Sequence, residues 1–308
     1  MSESSQLREL FIVGAGPAGI TAAIYAARKR MDFAVFSADV GGRAILASME
    51  ESYTGYQFVS GDDLAERFQE ALKAYGFEFR MDEVQRVERE GNTFKVMMSD
   101  AGTRSARTVI VATGRKPKEL NVPGEAEFKN RGVTYCATCD APLFEGLDVA
   151  VVGGGNSGLE AVLQLAKIAK SVHLIEAGPQ LRATQVLVEK SRASDRVKVW
   201  TDTQVAEIIG EKAVTEIRVQ KNGERTLLPV QGVFVEIGSV PNSGLVDFVA
   251  KNIWGEIIVN CKAETGVPGL FAAGDVTDVP EKQVVIAAGE GGKATLSAFR
   301  YLSRSPGP

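Results

Sequence analysis

The chain is poor in the residues that metal sites and disulfide scaffolds need, with 3 cysteines and a single histidine among 308 residues. A structural zinc site takes about four Cys or His ligands. His173 stands among the apolar residues Val172, Leu174 and Ile175, so it reads as a packed strand residue rather than a base. Cys261, in VNCKAE, is given the same packing role. A secreted disulfide framework is excluded, and metal binding is a poor reading of the two cysteines in CATCD. Clustered Lys and Arg are also missing, and the formal net charge is -4. Nucleic acids and anionic membranes recruit basic clusters, so neither partner is expected. No run of about eighteen apolar residues occurs. The start, MSESSQLREL, is polar rather than basic and then apolar, so a cytoplasmic protein is expected.

What the chain does have is glycine, 32 residues of it, and length enough for two domains with separate cores. The segments ELFIVGAGPAGITAAIYAARKRMDFAVFSA and DVAVVGGGNSGLEAVLQLAKIAKSVHLIEAG repeat one plan: apolar strand, glycine turn, helix of small residues, second strand. Gly14, Gly16 and Gly19, with Pro17 and Ala18 between them, form the first GxGxxG. Gly153, Gly155 and Gly158, with Asn156 and Ser157, form the second. Such glycines permit a tight turn and let backbone amides at a helix start approach a pyrophosphate. One copy is weak support for this reading, but two with full flanks imply two dinucleotides. A flavin and a nicotinamide are the economical pair, because one accepts hydride from the other.

Short strand patterns follow the first opening at 76–80, 93–98 and 108–111, with Gly91 and Asn92 as a turn, and end at Ala112, Thr113 and Gly114. After the second opening come 197–200, 205–209, 215–220 and 233–237, with Asn222 and Gly223 as a hairpin turn. The run 270–273 then enters Gly274 and Asp275, and a helical pattern spans 283 to about 302. An α/β fold of two Rossmann-like domains is expected, residues 117–245 being inserted between 1–116 and 246–308.

GAGPAG, ATG, CATCD, GGGNSG and FAAGDV occur in an order that resembles the low-molecular-weight thioredoxin reductases along almost the full length. VVGGGNSGLEA, LIEAGPQLRA, EIIV and FAAGDVTDVPEKQVVIAAGEGGKATLSAF are more similar to the flavoprotein component of alkyl hydroperoxide reductases. That group carries a thioredoxin-fold region before its flavin domain, whereas few residues precede the first strand here. The resemblance therefore implies a stand-alone reductase whose dithiol partner, a thioredoxin or glutaredoxin-like protein, arrives by diffusion. A dedicated peroxiredoxin system is the nearest rival. The resemblance also implies a homodimer and a nicotinamide domain inserted into an FAD domain, as in class II pyridine nucleotide-disulfide oxidoreductases.

For FAD, the resemblance implies pyrophosphate binding over Gly14 to Gly19, Asp275 near the ribitol, and Lys282, Gln283 and Val284 leaning over the ring. Gly41, Gly42 and Arg43, Ala112, Thr113 and Gly114, and Gly274 complete the set. The usual GGQ is replaced by Gly41-Gly42-Arg43, and the usual asparagine by Ser52. The physical reading of Asp275 agrees, since an acid ending an apolar strand at a glycine turn suits a hydroxyl-rich ligand, with a helix cap as its alternative role.

In the second domain, Glu176 ends the strand about 20 residues past the glycines, where an acid accepts the ribose 2′-OH of NAD and repels a 2′-phosphate. The family's HRRxxxR keeps only its last arginine, Arg182. NADH is therefore expected over NADPH.

Cys136 and Cys139 form a CxxC able to cycle between dithiol and disulfide. The resemblance implies that Cys139 is the flavin-proximal sulfur and that Cys136 attacks the partner. Asp140 is the candidate acid and base, a role that requires a raised pKa, with capping before Ala141 and Pro142 as the alternative. Nicotinamide and cysteines would have to reach one flavin in turn, so the inserted domain is expected to swing on linkers at 114–117 and 238–244. A ferredoxin-type electron transferase would not need the CxxC. An O2-linked dithiol oxidase would not need the nicotinamide site.

Overall fold

In the computed structural model, residues 7–42, 63, 66–67, 70, 74–100 and 102–304 are described. Arg43 and Ser52 lie outside them. The described residues up to Lys116 and from Val240 onward form one unit, and Pro117–Ser239 the other.

The first unit is built on Arg8–Val13, whose Leu10, Phe11, Ile12 and Val13 are almost completely buried. A strand apolar on both faces belongs in the middle of a covered parallel sheet, and this one pairs in parallel with Phe33–Ser37 and Thr103–Val111. The sheet continues outward to Glu78–Met81 on one side. On the other it continues to Thr93–Met98 and Val84–Glu90, and Leu270–Ala272 also joins Thr103–Val111. One face is covered by the helix Pro17–Arg28, whose Ala18, Ala22, Ala23 and Ala26 are buried against the long helix Val284–Arg304. The two helices come so close that a Cβ on Gly291 would stand 1.9 Å from the Ala18 carbonyl oxygen.

The second unit has a parallel sheet ordered Val197–Trp200, Ser171–Ile175, Asp148–Val152, Gly232–Val235, Val133–Thr134. The helices Asn156–Leu165 and Gln185–Arg192 pack beside it, and the antiparallel strands Gln204–Gly210, Val214–Lys221 and Glu224–Pro229 form a separate sheet. Asn222 and Gly223, at φ 50° and 87°, join its last two strands. Two successive positive φ values are what a two-residue I′ hairpin requires.

The two longest strands absent from the sequence-based reading are Val84–Glu90 and Glu224–Pro229. Both are sheet edges rich in charge, VQRVERE and ERTLLP. Edge strands carry charge that prevents unwanted pairing, and that charge hides their strand character. The return crossing falls at 239/240 rather than at 245/246. Asn242 donates from its backbone to Gly114 O and from Nδ2 to Thr113 O, and Leu245 and Val246 are buried in the first unit's core. The segments Arg115–Pro117 and Ser239–Pro241 are paired with each other as a two-stranded ribbon. Cys261 is exposed rather than packed. Asn260 Oδ1 accepts from the Lys262 and Glu264 amides and folds that stretch into a surface turn. Among the described residues no helix is long and apolar enough to cross a membrane.

Candidate functional site

Both glycine turns divide their labour in the same way. Gly14 has φ 105°, and a Cβ there would lie 2.4 Å from Ala112 O. A Cβ on Gly19 would lie 1.8 Å from Gly14 O. In the second turn Gly153 has φ 124° and its Cβ would meet Glu236 O at 2.3 Å, while that of Gly158 would meet Gly153 O at 1.8 Å. The chain's own packing therefore demands the first and third glycines. It does not demand the middle ones: the nearest atom to a Cβ on Gly16 is 3.8 Å away, and around Gly155 nothing lies within 4 Å. Open space over a glycine at a helix start is room for a group from outside, and the amides there favour an anion. Gly16 and Gly155 each begin their helix with no side-chain cap. Both turns thus fit a dinucleotide pyrophosphate.

Around the first turn the structure gathers most of the proposed FAD residues. Gly41 donates to Ala15 O, a Cβ on Gly42 would stand 3.2 Å from Gly16 Cα, and one on Gly274 would stand 3.0 Å from Ala18 Cβ. Pro17 occupies the first helical turn. Asp275 is half-buried in the short turn Gly274–Val276. Thr113 Oγ1 donates to Asn242 O at 2.7 Å. Lys282 engages its ammonium with Thr277 O at 2.5 Å and Glu256 Oε1 at 3.3 Å, which leaves its stem rather than its charge for any ring. Gln283 O accepts from Ala287, and Val284 opens the long helix. Burial opposes ionisation of Glu256, but the amide of Asn252 and the cations Lys282 and Arg115 outweigh it and hold the carboxyl below its ordinary range. Glu290, unnoticed in the sequence, is buried and accepts from Gly274 N at 3.2 Å. An acid inside a helix otherwise facing small residues was the available sign.

At the second turn Glu176 is 4% exposed, and its two oxygens accept from Gly154 N at 2.7 Å and Gly178 N at 2.8 Å. It therefore braces the loop. Arg182 Nη2 lies 3.6 Å from the same carboxylate and its side chain is 77% exposed. Asn156 Oδ1 accepts from Thr184 N, and Asn156 and Ser157 are exposed. His173 is buried, with Nδ1 accepting from Trp200 Nε1 at 3.1 Å. Burial first, then the nearby Lys198, pushes its pKa down.

Cys136 and Cys139 are joined as a disulfide with Cα atoms 5.4 Å apart, both half-buried, with Thr138 exposed between them. Cys136 caps the short helical turn Ala137–Asp140, its Sγ accepting from Cys139 N at 3.3 Å. Asp140 is fully buried. Its Oδ2 accepts from Thr134 Oγ1, which in turn accepts from Cys136 N at 3.2 Å. Ala137 N donates to Glu236 Oε1 at 3.3 Å. Tyr135 OH donates to the buried Glu125, and burial together with that carboxylate pushes the phenol's pKa well up. Thr134 and Glu236 escaped the sequence reading. The acid ending the apolar run Gly232–Val235 was a legible sign, whereas nothing local marks the threonine.

Comparison with known proteins agrees with this geometry. The family model described as pyridine nucleotide-disulphide oxidoreductase matches residues 8–291. An alkyl hydroperoxide reductase component of Pseudomonas putida is 43% identical over 309 residues, covering 97% of this chain and 59% of that protein. A Bacillus subtilis protein named NADH dehydrogenase is 41% identical over 301 residues, covering 96% and 59%. The chain thus spans 59% of the length of these two curated relatives. Among solved structures, thioredoxin reductase from Streptococcus pyogenes superimposes with a TM-score of 0.92 at 36% identity, covering 99% of this chain and 100% of that one.

Proposed function

The chain belongs to the pyridine nucleotide-disulphide oxidoreductase family, and on that premise we propose that it is a flavin-dependent disulfide reductase carrying electrons from NADH to a small dithiol protein of thioredoxin or glutaredoxin type. The observation that carries this reading is the half-buried Cys136–Cys139 disulfide with Asp140 buried behind it, in a chain with two dinucleotide cradles. The cradle at Gly14–Gly19 is assigned to FAD and the one at Gly153–Gly158 to the nicotinamide. Bound together, the two cofactors supply hydride transfer and deliver the electron pair to the disulfide.

The protein's own residues do the rest. In the reduced pair, the Cys136 thiolate attacks a sulfur of the partner's disulfide. A mixed disulfide forms, and the partner's other sulfur leaves as a thiolate, to which Asp140 passes the proton it took from the Cys136 thiol. Cys139 then attacks Cys136 Sγ, restoring the Cys136–Cys139 disulfide and releasing the partner as a dithiol. Thr134 holds the Asp140 carboxylate in place for this proton transfer.

The choice of NADH rests on Glu176 at the ribose position, where a carboxylate repels a 2′-phosphate, and on the relative that carries the name NADH dehydrogenase. A second reading of the acceptor, a thioredoxin-like carrier that serves a peroxiredoxin, is favoured by the relative named for alkyl hydroperoxide reductase.

Anaerobic titration with NADH, followed at the flavin absorbance, tests the whole scheme. Bleaching by NADH and reoxidation by one dithiol protein in its disulfide form are expected, and Cys139→Ser should bleach but not be reoxidised. Protein that takes up no flavin, or a Cys139→Ser variant that still reduces the partner at full rate, ends this reading. A kcat/KM at least tenfold higher for NADPH than for NADH removes the nucleotide assignment.

A further inference from the structure

Glu236 joins the nucleotide turn to the redox turn through its own covalent frame. Its backbone amide donates to Val152 O at 2.8 Å, and its carbonyl oxygen occupies the space that a Cβ on Gly153 would enter. With the backbone held there, the side chain reaches Ala137 N at 3.3 Å, the first amide after Cys136. The amides at the start of this turn differ in what they face. The Cys139 amide does face Cys136 Sγ, but the Ala137 amide is taken by a carboxylate.

We propose that the Glu236 carboxylate acts as a positioning residue that opposes thiolate formation in the Cys136–Cys139 pair and so makes the reduced pair a stronger reductant. The proposal rests on reading that pair as the redox relay. Reduction of the disulfide takes up two electrons and two protons and gives two thiols, and ionisation of either thiol stabilises the reduced side. A like charge within about 4–6 Å raises the cost of that ionisation by one or more pH units. The Glu236 carboxylate, just past the strand Gly232–Val235, is held one hydrogen bond from the amide that follows Cys136. Asp140 also faces this turn, linked to the Cys136 amide through the Thr134 hydroxyl. Beside them, Tyr135 directs its hydroxyl to Glu125, and Lys129 lies over its ring.

The test uses the flavin-loaded 308-residue chain carrying Cys261→Ser, so that only the pair reacts. Parent and Glu236→Gln are equilibrated anaerobically with mixtures of reduced and oxidised dithiothreitol at pH 6 and pH 9. The thiols are then counted by alkylation and mass measurement of the Cys136 peptide. Glu236→Gln keeps an acceptor for Ala137 N and loses the charge. The equilibrium is expected to move toward the dithiol by up to about tenfold at pH 9, above the ordinary thiol value of about 8.5, and not at pH 6. The pH midpoint of Cys136 alkylation should fall by about one unit. Glu236→Asp, with its charge retained, should stay near the parent's midpoint. Superimposable profiles for parent and Glu236→Gln, a shift to higher pH, or a Glu236→Asp midpoint as low as that of Glu236→Gln each overturn the proposal. No nicotinamide cofactor or protein partner enters this measurement, so failure of NADH-driven turnover is read separately.

Discussion

The Thr134 hydroxyl donates to the carboxylate of Asp140 from six residues earlier in the chain, and it accepts the amide of Cys136 on its other side. One oxygen thereby fixes both the redox turn and the group assigned to protonate the leaving thiolate. Thr134→Val keeps the shape and removes both bonds. A buried group left without its partner costs about 1–3 kcal/mol. The variant is expected to reduce protein disulfides about tenfold more slowly, a change of about 1.4 kcal/mol, with the rate of flavin bleaching by NADH unchanged. Thr134→Ser should restore most of the loss in the same stopped-flow comparison. Equal rates for Thr134→Val and the parent remove the residue from the mechanism.

The glycines should separate into two classes. Gly16→Ala places a methyl at ordinary contact distance and Gly155→Ala places one in open space, so both proteins should melt close to the parent. Each should bind its own dinucleotide at least tenfold more weakly, about 1.4 kcal/mol. Gly19→Ala and Gly158→Ala drive a Cβ to 1.8 Å from a carbonyl oxygen. Overpacking of that kind costs about 1–3 kcal/mol or more, so these variants should lose stability with or without nucleotide. Calorimetry and fluorescence titration read the two effects independently, and an unchanged Kd for NADH in Gly155→Ala counts against the cradle.

Glu176 has a dual role that can be dissected. Its two oxygens hold the amides of Gly154 and Gly178, and Glu176→Gln turns one of them into a donor facing an N–H. Loop bracing should weaken by about 1–3 kcal/mol. The preference of kcat/KM for NADH over NADPH should shrink at the same time, because the charge that rejects a 2′-phosphate is gone. Lower stability with an unaltered preference would confine Glu176 to the structural role.

Acid should destabilise the two units in different pH windows. The folded pKa of His173 lies below its unfolded value of about 6.5. Its contribution is thus complete above about pH 6.5 and is lost as pH falls through the depressed folded value, because the unfolded chain binds the proton first. Glu78 and Glu256 in the first unit are also lowered. Burial opposes this at Glu78, but Arg80, Arg104 and Arg8 prevail. The stability these two carboxylates contribute is present above their unfolded values and disappears only as pH falls below about 4.5. Hydrogen exchange measured from pH 7 to pH 4 should therefore show amides in Ser171–Ile175 losing protection before those in Arg8–Val13. His173→Phe should delay the earlier loss, and simultaneous loss in both strands would contradict the assignment.

The architecture was legible because it is written in local periodicity. Arg8–Val13 and Asp148–Val152 read as buried strands, and each runs straight into a glycine turn and a helix of small residues. Asn222-Gly223 announced its hairpin for an equally local reason, since few residue pairs accept two positive φ values. Val84–Glu90 was hidden because an edge strand's charge answers to solvent rather than to a core. Cys261 was misplaced because cysteine is most often a buried residue, whereas here it lies in a surface turn organised by Asn260.

Local order along the chain thus determined the two dinucleotide folds, the CxxC and the acid after it, because each depends on residues a few positions apart. The return crossing at Val240 and the meeting of Thr134, Asp140 and Glu236 around one disulfide were decided only in three dimensions. Those contacts join residues as much as 129 positions apart, as Thr113 and Asn242 are, and their hydrogen bonds form only after the sheets have packed.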